Sequence, residues 1–141
     1  MKTLLSFLLP FYLCCCGNLS QNKTQTKTEK IKKECTVRLT VYWKSEDGWT
    51  RKGKTSTGGP LQSYKTVAVD PKVFPYGSTI KLPELGLVTT AWDTGSAVKS
   101  RKASRKMGRN DPVIDLYIEK KSDAIRFIKE NPLFTKAQLL Y

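Results

Sequence analysis

The sequence predicts an all-β domain whose short strands close into a small barrel. Several short segments are rich in β-branched and apolar residues, and turns containing Gly or Pro separate them. A helical pattern occurs only once, near the end of the 141-residue chain. Because strands do not alternate regularly with helices, a parallel sheet covered by helices is not expected. Five or six short strands with one late helix are typical of a closed barrel, but the pattern does not choose between barrel topologies.

The individual strands are predicted from alternation and from short apolar runs. In 36–42, β-branched or apolar residues alternate with polar ones, as in a half-buried strand. The later strands are short and are separated by turn signals such as Asp70-Pro71 and the segment 75–78. These later strands are predicted at 66–69, 79–82, 87–92 and 113–118, with a closing strand near 139–140.

Two further segments complete the predicted domain. Residues 122–130 carry apolar side chains at helical spacing, which predicts a short helix with Ser122 as its N-cap. Residues 44–64 have no periodicity and are rich in Gly, Ser, Thr and Lys, so a long loop is predicted there. Loops of this length within a compact domain are often functional.

The N-terminal segment is typical of an export signal. An apolar run from Leu4 to Leu13 follows Lys2 and is shorter than the ~20 residues that a membrane-spanning helix needs. The segment 13–16, Leu-Cys-Cys-Cys, is similar to a bacterial lipoprotein box and makes Cys16 the expected lipid acceptor. An ordinary signal peptide with incidental cysteines is the alternative. In both cases we expect an exported protein of the bacterial envelope, facing the periplasm or the wall.

The remaining chain divides into a linker and one domain. Residues 17–35 are rich in Asn, Gln, Thr and Lys and contain few apolar side chains, so they are predicted to form a flexible polar linker. Residues 36–141 are enough for one domain with its own core. The expected organisation is a signal peptide at 1–16, the linker at 17–35 and the barrel at 36–141.

The amino-acid composition excludes several kinds of catalytic and metal-binding site. The chain contains no histidine, which excludes histidine-dependent triads and acid/base catalysis by imidazole. Cys35 is the only cysteine of the predicted domain and linker, so neither an internal disulfide nor a tetrahedral Cys/His zinc site is expected. No metal ion or cofactor is predicted. The net charge of +13 favours an anionic partner, and because an exported protein is predicted, nucleic acid is not expected to be that partner.

Three aspartates lie at or near the ends of predicted strands, namely Asp70, Asp93 and Asp115. Aspartate is depleted in strands, and Asp115 stands between Val-Ile and Leu-Tyr. Partial burial would raise the pKa of such a carboxyl group and let it act as an acid near neutral pH. The alternative is structural: a turn before Pro71, a turn cap at Asp93 and an internal hydrogen bond for Asp115.

Six short motifs follow one another along the predicted domain. They are Thr40-Val41-Tyr42, Ser56-Thr57-Gly58, Thr66-Val67-Ala68-Val69-Asp70-Pro71, Pro75-Tyr76-Gly77-Ser78, Asp93-Thr94-Gly95-Ser96-Ala97-Val98 and Ile114-Asp115-Leu116-Tyr117. Together they resemble the three-aspartate (3D) domain, the catalytic barrel of membrane-bound lytic transglycosylase A and of related muralytic proteins. The resemblance runs from about Thr36 to Tyr141. It implies a six-stranded double-psi β-barrel, as in expansins, and cleavage between N-acetylmuramic acid and N-acetylglucosamine with formation of a 1,6-anhydro end.

The resemblance also assigns roles to residues. It makes Asp93 the catalytic acid and base, with Asp70 and Asp115 as its neighbours in the site. Two departures from the family pattern are Ser96 in place of a second glycine and a long basic insertion before Asp115, which contains Lys99. The insertion is either a substrate-clamping loop or a solvated segment. The residues expected to bind substrate are Trp49, Ser56, Thr57, Gly58, Tyr76, Gly77, Thr94, Gly95 and Lys99.

The predicted function is therefore that of a monomeric lytic transglycosylase acting on peptidoglycan glycan strands. A hydrolytic glycosidase commonly needs two carboxyl groups. In a lytic transglycosylase the nucleophile is the C6 hydroxyl of the same sugar, so one aspartate suffices. Two other classes stay open: a non-catalytic, expansin-like glycan-binding module, and a cationic envelope-binding protein in which the aspartates are structural.

Overall fold

The structure is a computed structural model that describes residues 30–46, 48 and 50–140. The predicted signal peptide, the predicted lipid acceptor Cys16 and the predicted substrate-binding residue Trp49 lie outside the described residues. Six strands, three helices and two 3-10 turns are found within them. The strands are β1 (Ile31–Tyr42), β2 (Thr66–Ala68), β3 (Thr79–Leu82), β4 (Leu87–Asp93), β5 (Val113–Tyr117) and β6 (Phe134–Leu140). The helices are α1 (Ser96–Lys99), α2 (Lys102–Arg105) and α3 (Lys121–Glu130), and the 3-10 turns span Thr50–Lys52 and Pro83–Leu85.

The strands close into a barrel in the order β1-β5-β2-β4-β3-β6. Strand β1 pairs parallel with β5, and β2 pairs parallel with β4, whereas the other four pairings are antiparallel. Exchanging β1, β2 and β3 for β4, β5 and β6 leaves this order and all orientations unchanged. The barrel therefore consists of two interleaved three-stranded units, the arrangement of the double-psi class. The predicted all-β class and the six-stranded closed barrel are confirmed.

The barrel interior is filled by branched aliphatic side chains that alternate along the strands. Val37 and Leu39 of β1 face inward, as do Ile80 and Leu82 of β3, and all four side chains are fully buried. Full burial of each such side chain contributes about 1.5–3 kcal/mol relative to exposure. This core is the rigid frame on which the strand ends carry the functional residues.

Strand β1 begins at Ile31, although the domain boundary was predicted at residue 36. Residues 31–34 are exposed, and they pair with the end of β6, whose Gln138 and Leu139 also pair with β3. Alternation of apolar and polar residues does not reveal this pairing, because residues 31–34 pair with β6 while their own side chains stay exposed. The polar segment 17–35 is thus in part a strand rather than a linker.

Helix α3 also begins differently from the prediction. It starts at Lys121, its N-cap is Lys120, and no side chain caps its first turn. Ser122 therefore lies within the helix. None of the helices in the described part of the chain has the length and apolar character that crossing a bilayer requires.

Candidate active site

A cleft of about 600 Å³ opens where β1, β2, β4 and β5 come together at one side of the barrel. The barrel strands contribute Tyr42, Ala68, Asp93 and Asp115 to its wall. The segment 94–98 that follows β4 forms a second side. The third side comes from the long loop after β1. Its lining residues are Glu46, Thr50, Lys54 and Ser56.

The alternation of β4 places Asp93 in the cleft. Thr89, Ala91 and Asp93 face inward, while Trp92 points outward and is 46% exposed. Asp93 is the last residue of this inward-facing series, so its carboxylate lies at the barrel end with only 8% of the residue exposed. A buried carboxylate requires hydrogen-bond donors.

The carboxylate of Asp93 accepts three hydrogen bonds. The Tyr42 hydroxyl donates to Oδ2 of Asp93 at 2.9 Å. The backbone N–H groups of Ser56 and Thr94 both donate to Oδ1, at 2.8 and 2.9 Å. Asp93 is therefore fixed from β1, from the long loop and from its own turn. Backbone donors keep their positions because the chain around them is ordered, so the carboxylate is preorganised for charge.

Tyr42 is the donor from β1. The residue is 7% exposed, and its ring lies 5.3 Å from the ring of Tyr117 on β5. Burial, followed by the charge of Asp93 and the hydrogen bond to it, raises the pKa of Tyr42 well above its usual range. The phenol therefore keeps its proton and acts as a donor at every physiological pH.

Asp115 is the second carboxyl group in the cleft. Its Oδ1 accepts a 2.7 Å hydrogen bond from the Thr40 hydroxyl on the paired strand β1. Burial raises the pKa of Asp115 to about 7, the Thr40 bond opposes this shift, and the carboxylates of Glu46 and Asp93 add to it. Asp115 thus retains a proton close to neutral pH, which few carboxyl groups do.

Ala68 of β2 lies between the two aspartates. It pairs with Asp93 on one side and with Asp115 on the other. The pairing with Asp93 follows a register shift in which β4 carries one extra residue, Trp92, and this shift aligns the small side chain with both aspartates. A methyl group in this position leaves the space between the carboxyl groups open to a ligand.

The predicted loop residues are held against the end of β4. Ser56 donates to Asp93, and the Thr57 hydroxyl donates to the backbone oxygen of Trp92 at 2.8 Å. The Gly58 N–H donates to the oxygen of Thr55, closing a tight turn in which Gly58 has a φ of 89°. Of these predicted binding residues, Ser56 lines the cleft, and Thr57 and Gly58 shape the turn that presents it.

Asp70 does not lie with the other two aspartates. Its Oδ1 accepts a 3.0 Å hydrogen bond from the Lys72 N–H, and its backbone oxygen accepts bonds from the N–H groups of Val73 and Phe74. The side chain caps the turn after β2 and is not part of the cleft wall. The structure thus brings Asp93 and Asp115 together in the cleft wall, while Asp70 forms the hydrogen bond of a local turn, and its predicted role beside Asp93 stays a prediction.

Tyr76 and Gly77 form a turn under the exposed ring of Trp92. A Cβ placed on Gly77 would lie 3.4 Å from the Trp92 ring, and Tyr76 is itself exposed. These predicted binding residues are on the outer side of β4, away from Asp93. Thr94 and Gly95 do line the cleft, while Lys99 is exposed at the end of α1 just beyond it.

Sequence reasoning did not assign a role in the site to Tyr42, Thr40, Glu46 or Lys54. The sequence gives only a weak indication that Tyr42 lies in the site, because strict alternation after the inward-facing Val37 and Leu39 would place its side chain on the outside of the barrel. Instead it is buried, because β1 departs from strict alternation at its end. The other three residues carry no local signal, because their position depends on the pairing of β1 with β5 and on the path of the loop.

Known proteins resemble this chain in sequence and in part of its structure. Residues 65–129 match the model of the 3D domain. The cell wall-binding protein YocH of Bacillus subtilis is 35% identical over 105 residues, which cover 72% of this chain and 32% of that protein. YabE of the same organism, named as a cell wall shaping protein, is 34% identical over 111 residues, 77% of this chain and 24% of that protein.

The chain thus spans about a third and a quarter of the lengths of these two relatives. The lytic transglycosylase LtgG of Burkholderia pseudomallei aligns structurally over 61% of this chain and 25% of that one, with 19% identity and a TM-score of 0.39. The family match covers β2 to α3 and contains all three aspartates. Residues 65–129 of this chain belong to the 3D domain family.

Proposed function

We propose that this protein acts on peptidoglycan in the bacterial cell envelope and cleaves its glycan strands as a lytic transglycosylase. The observation that carries the proposal is the carboxylate of Asp93, fixed by three donors in a cleft that also holds the raised-pKa carboxyl of Asp115. The names of the two relatives, a wall-binding and a wall-shaping protein, support the choice of peptidoglycan as the ligand.

In the proposed reaction, protonated Asp93 gives its proton to the glycosidic oxygen as positive charge builds at C1 of N-acetylmuramic acid. The C–O bond to the leaving sugar breaks, and the carboxylate of Asp93 then removes the proton of the C6 hydroxyl, which attacks C1. Tyr42, Ser56 and Thr94 stabilise the carboxylate between these two proton transfers. The nucleophile is tethered to the reacting ring, so its effective concentration is high without an activated water.

Asp115 contributes by keeping a proton in the cleft. Two carboxyl groups in one low-dielectric site resist joint ionisation. Burial, followed by the charges of Glu46 and Asp93, raises the pKa of Asp115 to about 7, so this carboxyl keeps a proton at a pH at which exposed aspartates have lost theirs. Asp115 thereby holds a proton near neutral pH in the same cleft as Asp93, the residue that donates a proton in the first step of the proposed reaction.

A non-catalytic glycan-binding module is the second candidate. It is favoured by the same three hydrogen bonds to Asp93, which are also what a purely structural carboxylate would receive. It agrees too with the name of the relative described as wall-binding. The two candidates share the cleft and the ligand and differ only in whether a bond is broken.

Mass analysis of material released from purified sacculi separates them. A lytic transglycosylase releases fragments with anhydro ends, each one water lighter than a hydrolysed fragment and without a reducing terminus. Reducing ends that appear in step with cleavage would indicate a hydrolase, with Asp115 as the second carboxyl group. Retention on sacculi without any released fragment would indicate the binding module.

A further inference from the structure

The basic segment 96–109, comprising α1, α2 and the turn after them, forms an ordered helical hairpin. Val98 is 2% exposed and packs inward from α1. Ser104 of α2 is fully buried, and its hydroxyl donates to the backbone oxygen of Asp111 at 2.7 Å. The hairpin is therefore anchored to the barrel at both of its helices.

The six basic residues of this hairpin divide into two groups. Arg101 donates to the backbone oxygen of Asn110 at 2.8 Å, and Arg109 pairs with Asp111 at 2.6 Å while its guanidinium lies 4.1 Å from the centre of the Phe134 ring. These two arginines hold the hairpin in place. The other four are exposed, and their side chains make no hydrogen bond or ion pair with any described residue; they are Lys99, Lys102, Arg105 and Lys106.

Stability does not explain these four cations. Lys102 and Lys106 are four residues apart on one helical turn, where the Lys106 N–H donates to the oxygen of Lys102 at 3.1 Å. Like charges at this spacing destabilise a helix by ~0.2–0.5 kcal/mol. Residues 96–111 contain one acidic residue, Asp111, and it already forms an ion pair with Arg109. The charge is therefore available to an external anion.

The hairpin adjoins the cleft directly. Ser96, Ala97 and Val98 of α1 line the cleft together with Asp93, and Lys99 follows at the end of the same helix. A polymer that leaves the cleft past α1 reaches Lys99, and the other three cations follow along the chain on α2 and at its C-cap. The anion that fits the hairpin is for this reason a group on the polymer that occupies the cleft.

We propose that the four exposed cations of the hairpin bind carboxylate groups carried by the peptidoglycan strand whose sugar chain lies in the adjacent cleft. This inference rests on the proposed function and adds the part of the substrate that is recognised outside the cleft. It commits to the carboxylates of the strand and its peptide stems, rather than to phosphate polymers or lipid headgroups. Each exposed ion pair contributes little, and the group acts through its number.

The test uses Asp93→Asn protein, so that binding is measured without cleavage, and soluble peptidoglycan fragments in two forms. One form has its carboxyl groups intact, and in the other they are converted to methylamides. The hairpin variant replaces Lys99, Lys102, Arg105 and Lys106 by Gln. The control variant, which changes the net charge equally, replaces Lys72, Lys120, Lys129 and Lys136 by Gln.

The protein with an intact hairpin is expected to bind the native fragment roughly tenfold more tightly than the amidated one. The hairpin variant is expected to bind both forms with the same, weaker affinity, and the control variant to keep the tenfold preference. The proposal is overturned if the hairpin variant retains the preference, or if the control loses it to the same extent. It is also overturned if the hairpin substitutions change only binding to a polyphosphodiester or to anionic lipid vesicles. Failure of the intact protein to bind either fragment would remove the proposed function itself.

Discussion

The hydroxyl of Tyr42 at the end of β1 lies 2.9 Å from the carboxylate of Asp93 at the end of β4. The two strands are not neighbours in the barrel, since β5 and β2 lie between them. The bond is buried in the cleft wall and joins the two three-stranded units at their equivalent strands. The phenol of Tyr42, whose raised pKa keeps it protonated, thus donates to the carboxylate of Asp93, the residue that acts in the proposed reaction.

Replacing Asp93 by Asn should abolish glycan cleavage, because the amide keeps the shape of the side chain but cannot exchange a proton. Turnover on sacculi is expected to fall by at least about a hundredfold. Asp70→Asn is the matched control, because Asp70 caps a turn outside the cleft and Asn can accept the same bond from Lys72. Equal losses in both variants would mean that the three aspartates act as one site.

Tyr42→Phe removes one donor from Asp93 and keeps the ring contact with Tyr117. A hydrogen bond to a charged group contributes about 1.5–3 kcal/mol, so we expect kcat to fall by about tenfold or more. Tyr117→Phe keeps the same ring pair without touching Asp93 and should leave kcat within a few-fold of the parent. An unchanged kcat in Tyr42→Phe would show that the Ser56 and Thr94 donors suffice.

The stability of the domain should depend on pH through Asp115. Its pKa is about 7 in the folded chain against 3.8 for a free side chain, so between these values folding takes up a proton. This contribution to stability is fully present below pH 3.8, is lost as the pH rises and levels off above about 7. The slope is at most about 1.4 kcal/mol per pH unit.

Urea unfolding of the parent and of Asp115→Asn across this pH range isolates the effect. The amide does not titrate, so the stability of the variant relative to the parent should increase from low to neutral pH. Parallel curves would mean that Asp115 ionises in the folded protein as it does in the unfolded chain.

Gly77→Ala should destabilise the turn beneath Trp92. Gly77 has a φ of +81°, and an added Cβ would lie 3.4 Å from the Trp92 ring. Backbone strain of this kind costs about 1–3 kcal/mol, which lowers the midpoint of thermal unfolding by several degrees. Gly95→Ala is the control, because its φ is −160° and nothing lies within 4 Å of the added Cβ. Identical unfolding midpoints for the two variants would contradict this account of the turn.

The local pattern of the sequence determined most of the strands and the position of Asp93 at a strand end. Short apolar runs bounded by turns marked β2 to β5, because each strand must bury one face and each turn needs Gly or Pro. The inward series of Thr89 and Ala91 continues to Asp93, so a period of two already places that carboxylate at the barrel end. The beginning of β1 was not predicted, because residues 31–34 pair with β6 without burying their side chains.

Only the tertiary structure decided which aspartates share a site. Asp70 and Asp93 have similar local signals, yet Asp70 turns away to cap its own turn, and Asp115 enters the cleft from β5. That difference depends on β2 lying between β4 and β5, with Ala68 aligned to both aspartates. Parallel pairing between distant segments is set by closure of the barrel and by packing of its core, and periodicity within one strand carries no information about its neighbours.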